Sequence, residues 1–408
     1  MLRLCLTLIL TAAPVWAQGP MGHSGPVSAL SFRSDRLISG GFDGRAILWD
    51  QDGATARRIA RFHDGNVTAV AATEDGFVSA GQDGRVALWR DGQDHPVRQT
   101  SAMTSPVSAL TVSDREIVAG FFDGRLLRLE RATDRERIVQ AHQGRVSGLV
   151  FLPGGDLVSI GADLRFARWN ADDAQVLGAE LPGLPNGMAA TGDTLVVVFA
   201  DGLVRLIADD GTPMSDRFLS DRPLVAVAAS ATGVATAAVD GTVWLLDLPL
   251  LTLRARIAAS EGPVWALALS DDALFTAGAD GAIRRWSVRD GSAVGAPTMP
   301  LARAPQDGSR GAEVYQACAV CHALEPGDHS RAGPSLHGVF GRPIASAPGY
   351  AFSDALRGMD IVWSPDSVAE LFTQGPEAYT PGSRMPDQRV TDPADRQALV
   401  DYIARHSR

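Results

Sequence analysis

The clearest chemistry in this 408-residue chain is concentrated in five positions, Cys318-Ala319-Val320-Cys321-His322. Two thiols three positions apart on one helical turn can add to the two vinyl groups of a haem, and the adjacent His is then forced under the iron. A redox dithiol of this spacing would sit in a βαβ pattern, which the flanks do not show. A zinc site would need a second Cys pair or His at ligand spacing, and the chain holds only three Cys in all. The motif reads as attachment of one haem c. His23, His63 and His142 invite a metal reading, but each is better placed to bond an Asp and a Ser of its own neighbourhood, because buried polar groups need partners. All 37 basic residues are Arg, so no ammonium is available for Schiff-base chemistry. A net charge of −10 and the lack of a basic stripe argue against nucleic-acid binding.

The elements that must position these residues fall into two textures. Up to Met299 an Asp recurs at Asp43, Asp83, Asp123, Asp163, Asp201, Asp240 and Asp280, at spacings of 38 to 40, and Gly follows each except at Leu164. Asp-Gly between two alternating apolar runs is a strong hairpin signal. Apolar strand starters (Val27, Val67, Val107, Val146, Leu224 and Val264) precede most of these Asp residues by 16 or 17 positions. The first unit predicts strands at 27–32, 36–41, 45–49 and 56–62. One such sheet cannot bury both faces; seven stacked radially can, which predicts an all-β, seven-bladed propeller. Trp49, Trp89, Trp169 and Trp286 recur at one strand position and read as blade core. After Met299 comes a stretch rich in Pro, Ala, Asp, Gly and Ser, which reads as a linker.

The first region resembles the WD-repeat family over about residues 22–300. Gly22-His23 and Trp49-Asp50 match its signature dipeptides. Its hydrogen-bonded tetrad is matched by His23, Ser39, Asp43 and Trp49, by His63, Ser79, Asp83 and Trp89, and by His142, Ser159, Asp163 and Trp169. Repeat 7 keeps Thr276, Asp280 and Trp286 without the His, and repeats 3, 5 and 6 are degenerate. Residues 309–406 are similar to class I c-type cytochromes, which implies an all-α domain whose first helix, with Gly311 and Tyr315, crosses a last helix carrying Leu399 and Tyr402. The same resemblance implies that the Pro334 carbonyl, in Gly333-Pro334-Ser335-Leu336, accepts the Nδ1–H of His322. It places Gly341-Arg342, Gly349-Tyr350 and Trp363 at the haem edge, with Arg342, Trp363 and Tyr350 reaching a propionate. Tyr379, Pro381, Gly382, Ser383, Arg384, Met385 and Pro386 match the loop of the sixth ligand. The implied cofactor-binding set is Cys318, Cys321, His322, Pro334, Arg342, Tyr350, Trp363, Tyr379 and Met385, with His322 and Met385 on the iron. His329 and His337 are rival ligands by type alone, and Met359 reads as packing.

Arg3, an apolar run over 4–13 and Val15-Trp16-Ala17 make a secretory signal cut after Ala17. The run is too short to span a bilayer, which takes about 20 residues, and Cys5 leaves with it. The expected division is a signal at 1–17, a propeller at 18–299, a linker at 300–308 and a cytochrome domain at 309–408, in a periplasmic product with no transmembrane segment. Iron with both axial sites filled by protein carries single electrons rather than activating a substrate. The expected function is therefore electron transfer to partner proteins, with the propeller as a docking or scaffolding module. The alternative is an oxidoreductase whose propeller holds its own active site or cofactor and feeds the haem. From residue 301 onward, 10 Arg face 13 Asp and Glu, a net −3, so charge steering toward an acidic partner is expected to be weak. Ring closure is expected to use 292–299, and not 18–22, as the outer strand of the last blade.

Overall fold

The computed structural model describes residues 22–297 and 307–408, apart from 54, 320, 329, 330, 332, 351, 384 and 386–388. The expected signal, its expected cleavage point and most of the expected linker lie outside the described residues. Among the described residues, twenty-eight strands form seven four-stranded antiparallel sheets, each in simple chain order. The first sheet runs Val27–Arg33, Arg36–Gly41, Arg45–Trp49 and Ala56–Arg61, within one residue of the expected ends. At the Asp43-Gly44 turn, Gly44 adopts φ 71°, and where Gly is replaced by Leu164 the backbone still takes φ 62°, a strained value for a side chain of that size.

The apolar core lies between blades. Each boundary has its own cluster; at the closing one, Val27, Leu37 and Trp49 of blade 1 pack on Phe275, Ala277 and Ile283 of blade 7. The innermost strands stand side by side, and Val264–Leu269 against Val27–Arg33 completes the ring. Blade 7 takes its outer strand from Ala293–Val294, paired with Arg284–Ser287, and blade 1 is complete from its own four strands. The C-terminal segment thus supplies the last outer strand, as expected; residues 18–21 lie outside the described part.

Arginine links every boundary. Arg58 donates to Arg90 O, Arg98 pairs with Asp134, Arg128 and Arg137 hold Asp173, Arg168 holds Asp209, Arg217 donates to Leu251 O, Arg254 donates to Val288 O, and Arg285 holds Asp52. The forked guanidinium serves two partners at once, which an ammonium does less well. Arg128, 3% exposed, reaches Glu116 and Asp173 simultaneously.

The three full tetrads form as expected. In blade 4 the Trp169 indole N–H donates to Ser159 Oγ at 2.9 Å, Ser159 meets His142 Nε2 at 2.8 Å, and His142 Nδ1 meets Asp163 at 2.9 Å. Because a carboxylate only accepts, Nδ1 must carry the proton, and Ser159 then donates to Nε2. Blade 7 puts Ser260 where the His is missing, with its hydroxyl 3.3 Å from Asp280. Blade 6 has Leu246 at the Trp position and Ser220 at the His position, and its buried Thr236 hydroxyl has no partner.

The C-terminal domain is helical: α1 (Arg310–Ala319), α2 (Asp354–Arg357), α3 (Pro365–Gln374), α4 (Pro376–Tyr379) and α5 (Pro393–His406). Ser364 and Ser367 form a reciprocal cap on α3, Asp392 caps α5, and Pro opens both helices, the usual helix-start chemistry. Helices α1 and α5 cross where Gly311 meets the α5 backbone; a Cβ there would fall 2.2 Å from Ala398 O. Tyr315 and Tyr402 pack beside the crossing with ring centroids 5.2 Å apart and planes tilted by 35°. No helix among the described residues is long and apolar enough to cross a membrane.

Candidate functional site

Helix α1 delivers Cys318, and one further turn, with Cys321 N and His322 N both donating to Cys318 O, delivers Cys321 and His322. Both thiols line one cavity, enclosing about 1360 Å³ of empty space with its mouth included. Burial pushes the Cys318 thiol up to about 12 and likewise the Cys321 thiol, the latter eased by Arg331 and raised further by Asp43. Both are therefore neutral thiols at ordinary pH.

His322 is held from three sides. Its Nδ1–H donates to Pro334 O at 2.8 Å, and Tyr315 Oη donates to its carbonyl at 3.1 Å. Burial lowers its pKa, opposed by the Pro334 bond. With Nδ1 committed, the neutral ring leaves Nε2 as a free donor atom for a metal. Gly333 makes the seat: a Cβ there would lie 2.6 Å from the imidazole.

Met385 lines the same cavity. Its loop is pinned by Thr380, whose hydroxyl donates to Pro376 O, by Ser383, whose Oγ accepts the Met385 N–H, and by Ser353, whose hydroxyl donates to Gly382 O at 2.9 Å. Gly382, at φ 80°, lies so close to α2 that a Cβ would come within 2.6 Å of Ala355. Ser353 serves twice, since its Oγ also accepts the Leu356 N–H and caps α2, and no sequence motif marked the role of any of these three hydroxyls.

Arg342 and Trp363 also line the cavity, set side by side by Trp363 N donating to Arg342 O and Gly341 N donating to Trp363 O. Two of the Arg342 donors are already engaged, by His337 O and Ser335 O, so this side chain also clamps the 335–337 segment. Tyr350 lines the cavity edge-on to Phe352 at 4.7 Å. Tyr379 lies outside the cavity lining and packs on the helical core. Met359 and His337 are outside the lining as well, and His329, Arg384 and Pro386 are outside the described residues. Two residues of the propeller, Phe42 and Asn66, join the lining, which no local sequence signal indicated.

Apolar walls, two adjacent thiols, an imidazole with Nε2 free and a thioether facing one cavity fit a single covalently attached haem c. The cytochrome c family model matches residues 308–407, and a model of the WD domain, G-beta repeat, matches residues 18–50. Cytochrome c of Cochliobolus lunatus is 34% identical over 103 residues, covering 25% of this chain and 94% of that protein. Cytochrome c of Arabidopsis thaliana is 34% identical over 103 residues, 25% of this chain and 91% of that protein. Cytochrome c2 of Blastochloris viridis is 36% identical over 100 residues, 24% of this chain and 78% of that protein. The designed protein Ika8 aligns in structure with a TM-score of 0.57 at 24% identity, over 67% of this chain and 87% of that one, a likeness of fold.

Proposed function

We propose, from the premise that this chain belongs to the cytochrome c family through its C-terminal domain, that it is an exported monohaem electron carrier whose WD-repeat propeller serves as a docking module for partner proteins. The observation that carries this reading is the shared cavity: Cys318, Cys321, His322 and Met385 all face it, and the Pro334 bond to Nδ1 directs Nε2 inward. Bound there through two thioethers, the haem supplies one-electron redox chemistry. His322 Nε2 and Met385 Sδ would hold the iron. A soft thioether suits reduced iron, so Met385 raises the potential. Trp363, Tyr350 and the Arg342 donors beyond those two would hold the propionates. In this reading the signal 1–17 is removed, the propeller occupies 18–299, the linker 300–308 and the electron-carrying domain 309–408, in the periplasm.

An optical spectrum with haem stoichiometry on the purified protein tests this reading, and one haem per chain is expected. Oxidised protein should show the weak Met–iron charge-transfer band at the red end of the visible spectrum. Met385→Ala should keep the haem attached, lose the band and lower the potential. Survival of both would place the sixth ligand elsewhere. Cell fractionation and N-terminal sequencing test export, with Gln18 expected as the first residue.

A further inference from the structure

The turn before each repeat Asp carries one residue at the same rim of the propeller: Phe42, Gln82, Phe122, Ala162, Ala200, Val239 and Ala279. In all seven the backbone N–H of that residue donates to the carbonyl of the residue just before the innermost strand of its own blade, as Phe42 N does to Pro26 O and Phe122 N to Pro106 O. Only two of the seven are aromatic. Phe122 stands 49% exposed, with Arg145 above its ring. Phe42 is half-buried, stacks at 5.4 Å and 10° on Trp265, and lines the cavity together with Ala317, Cys318 and Cys321. Asn66, from the connection between blades 1 and 2, lines it too. The Asp43 carboxylate, next to Phe42, stands near enough for its field to reach Cys321. That carboxylate is itself fixed by His23 Nδ1 and by the Ser24 N–H. The patch is therefore a built surface, rigid from behind, and its occupant is the helical domain of the same chain.

We propose that Phe42 and Asn66 form the seat on which the helical domain rests, so that the propeller covers part of the haem edge on the Cys321 side. This rests on the haem reading above. An outside redox protein that uses that edge then competes with the propeller rim, and small redox reagents reach the haem more slowly than they would in an uncovered domain.

The test uses the full chain, with Phe122 as the internal control. A photo-crosslinking benzoylphenylalanine placed at position 42 should, on illumination, link to peptides from 309–408, and the same group at 122 should not. Phe42→Ala should speed oxidation of the reduced protein by ferricyanide severalfold, with Phe122→Ala unchanged. Haem stoichiometry on the same samples separates the two readings, because a chain without haem sinks the electron-carrier reading, whereas the seat is judged by the links. With haem present, no links from 42, or equal links from 122, overturns the seat. Links from 42 with unchanged oxidation overturns the covering of the edge.

Discussion

The propeller makes its stabilising contacts seven times over, whereas the helical domain makes each positioning contact once. Every blade boundary has an apolar cluster and at least one arginine link. Repeats 3, 5 and 6 have lost their tetrads without losing the blade. In the helical domain a single core surrounds α1, α3 and α5, one glycine lets α1 meet α5, and one carbonyl orients His322. Repetition lets a scaffold drift in sequence; a site with one seat for one group has no such freedom.

The largest expected effect therefore lies in the helical domain. Gly311→Ala drives a Cβ into the Ala398 carbonyl, and only backbone separation of α1 from α5 relieves it. A loss of about 3 kcal/mol is expected, at the upper end of ordinary overpacking, read from thermal unfolding followed at the haem absorbance. A loss below about 0.5 kcal/mol would show that this crossing has slack and would break the contrast.

Within the propeller the intact and degenerate blades should respond with opposite signs. Ser159→Ala leaves the Trp169 and His142 nitrogens without their shared partner and should cost about 1–2 kcal/mol. Thr236→Val removes a buried hydroxyl that has no partner and should stabilise the chain by about 1 kcal/mol. Urea unfolding followed by tryptophan fluorescence measures both; equal losses would mean that blade 6 uses its hydroxyl after all. Smaller still is Arg285→Ala at the closing boundary. Its partner Asp52 is 73% exposed, so about 0.5 kcal/mol is expected, because the cluster around Phe275 holds the ring by itself. A loss of several kcal/mol would make the single ion pair the true clasp.

Much of this was legible in the residues. The Asp period gave blade number and strand limits because a tight turn demands particular residues at a particular place, and the Cys-x-x-Cys-His spacing located the site. What stayed hidden depends on reach rather than pattern. The arginine links span 32 to 45 residues at six boundaries and 233 at the seventh, so no local window contains both partners. The Ser353 bond to Gly382 spans 29. Phe42 and Phe122 read alike in sequence, and only tertiary placement sets one against the cavity. The family resemblance implies that Tyr379 is a site residue, but α4 ends there and packs the ring against the helical core.

The smallest effect is a pH response confined to the tetrads. Burial lowers the His142 pKa from its ordinary 6.5, and its bonds to Asp163 only partly offset that. The geometry gives the reason: a proton on Nε2 would face the Ser159 hydroxyl, which must then accept from both His142 and Trp169 and leave its own hydrogen without an acceptor. A folded-state pKa below the unfolded one means that the unfolded chain binds the proton first, so stability falls as pH drops below about 6.5. The carboxylates act lower down. Burial would raise the pKa of Asp43, Asp83 and Asp163, but bonds from His and from backbone N–H groups outweigh it and leave all three lowered from 3.8. Their contribution is complete above that value and is lost as pH falls below it. Urea midpoints measured from pH 7.5 down to pH 5 should therefore decline, and the decline should shrink in His142→Gln, which keeps a polar side chain but cannot titrate. An unchanged slope in His142→Gln would assign the decline to groups outside the blade 4 tetrad.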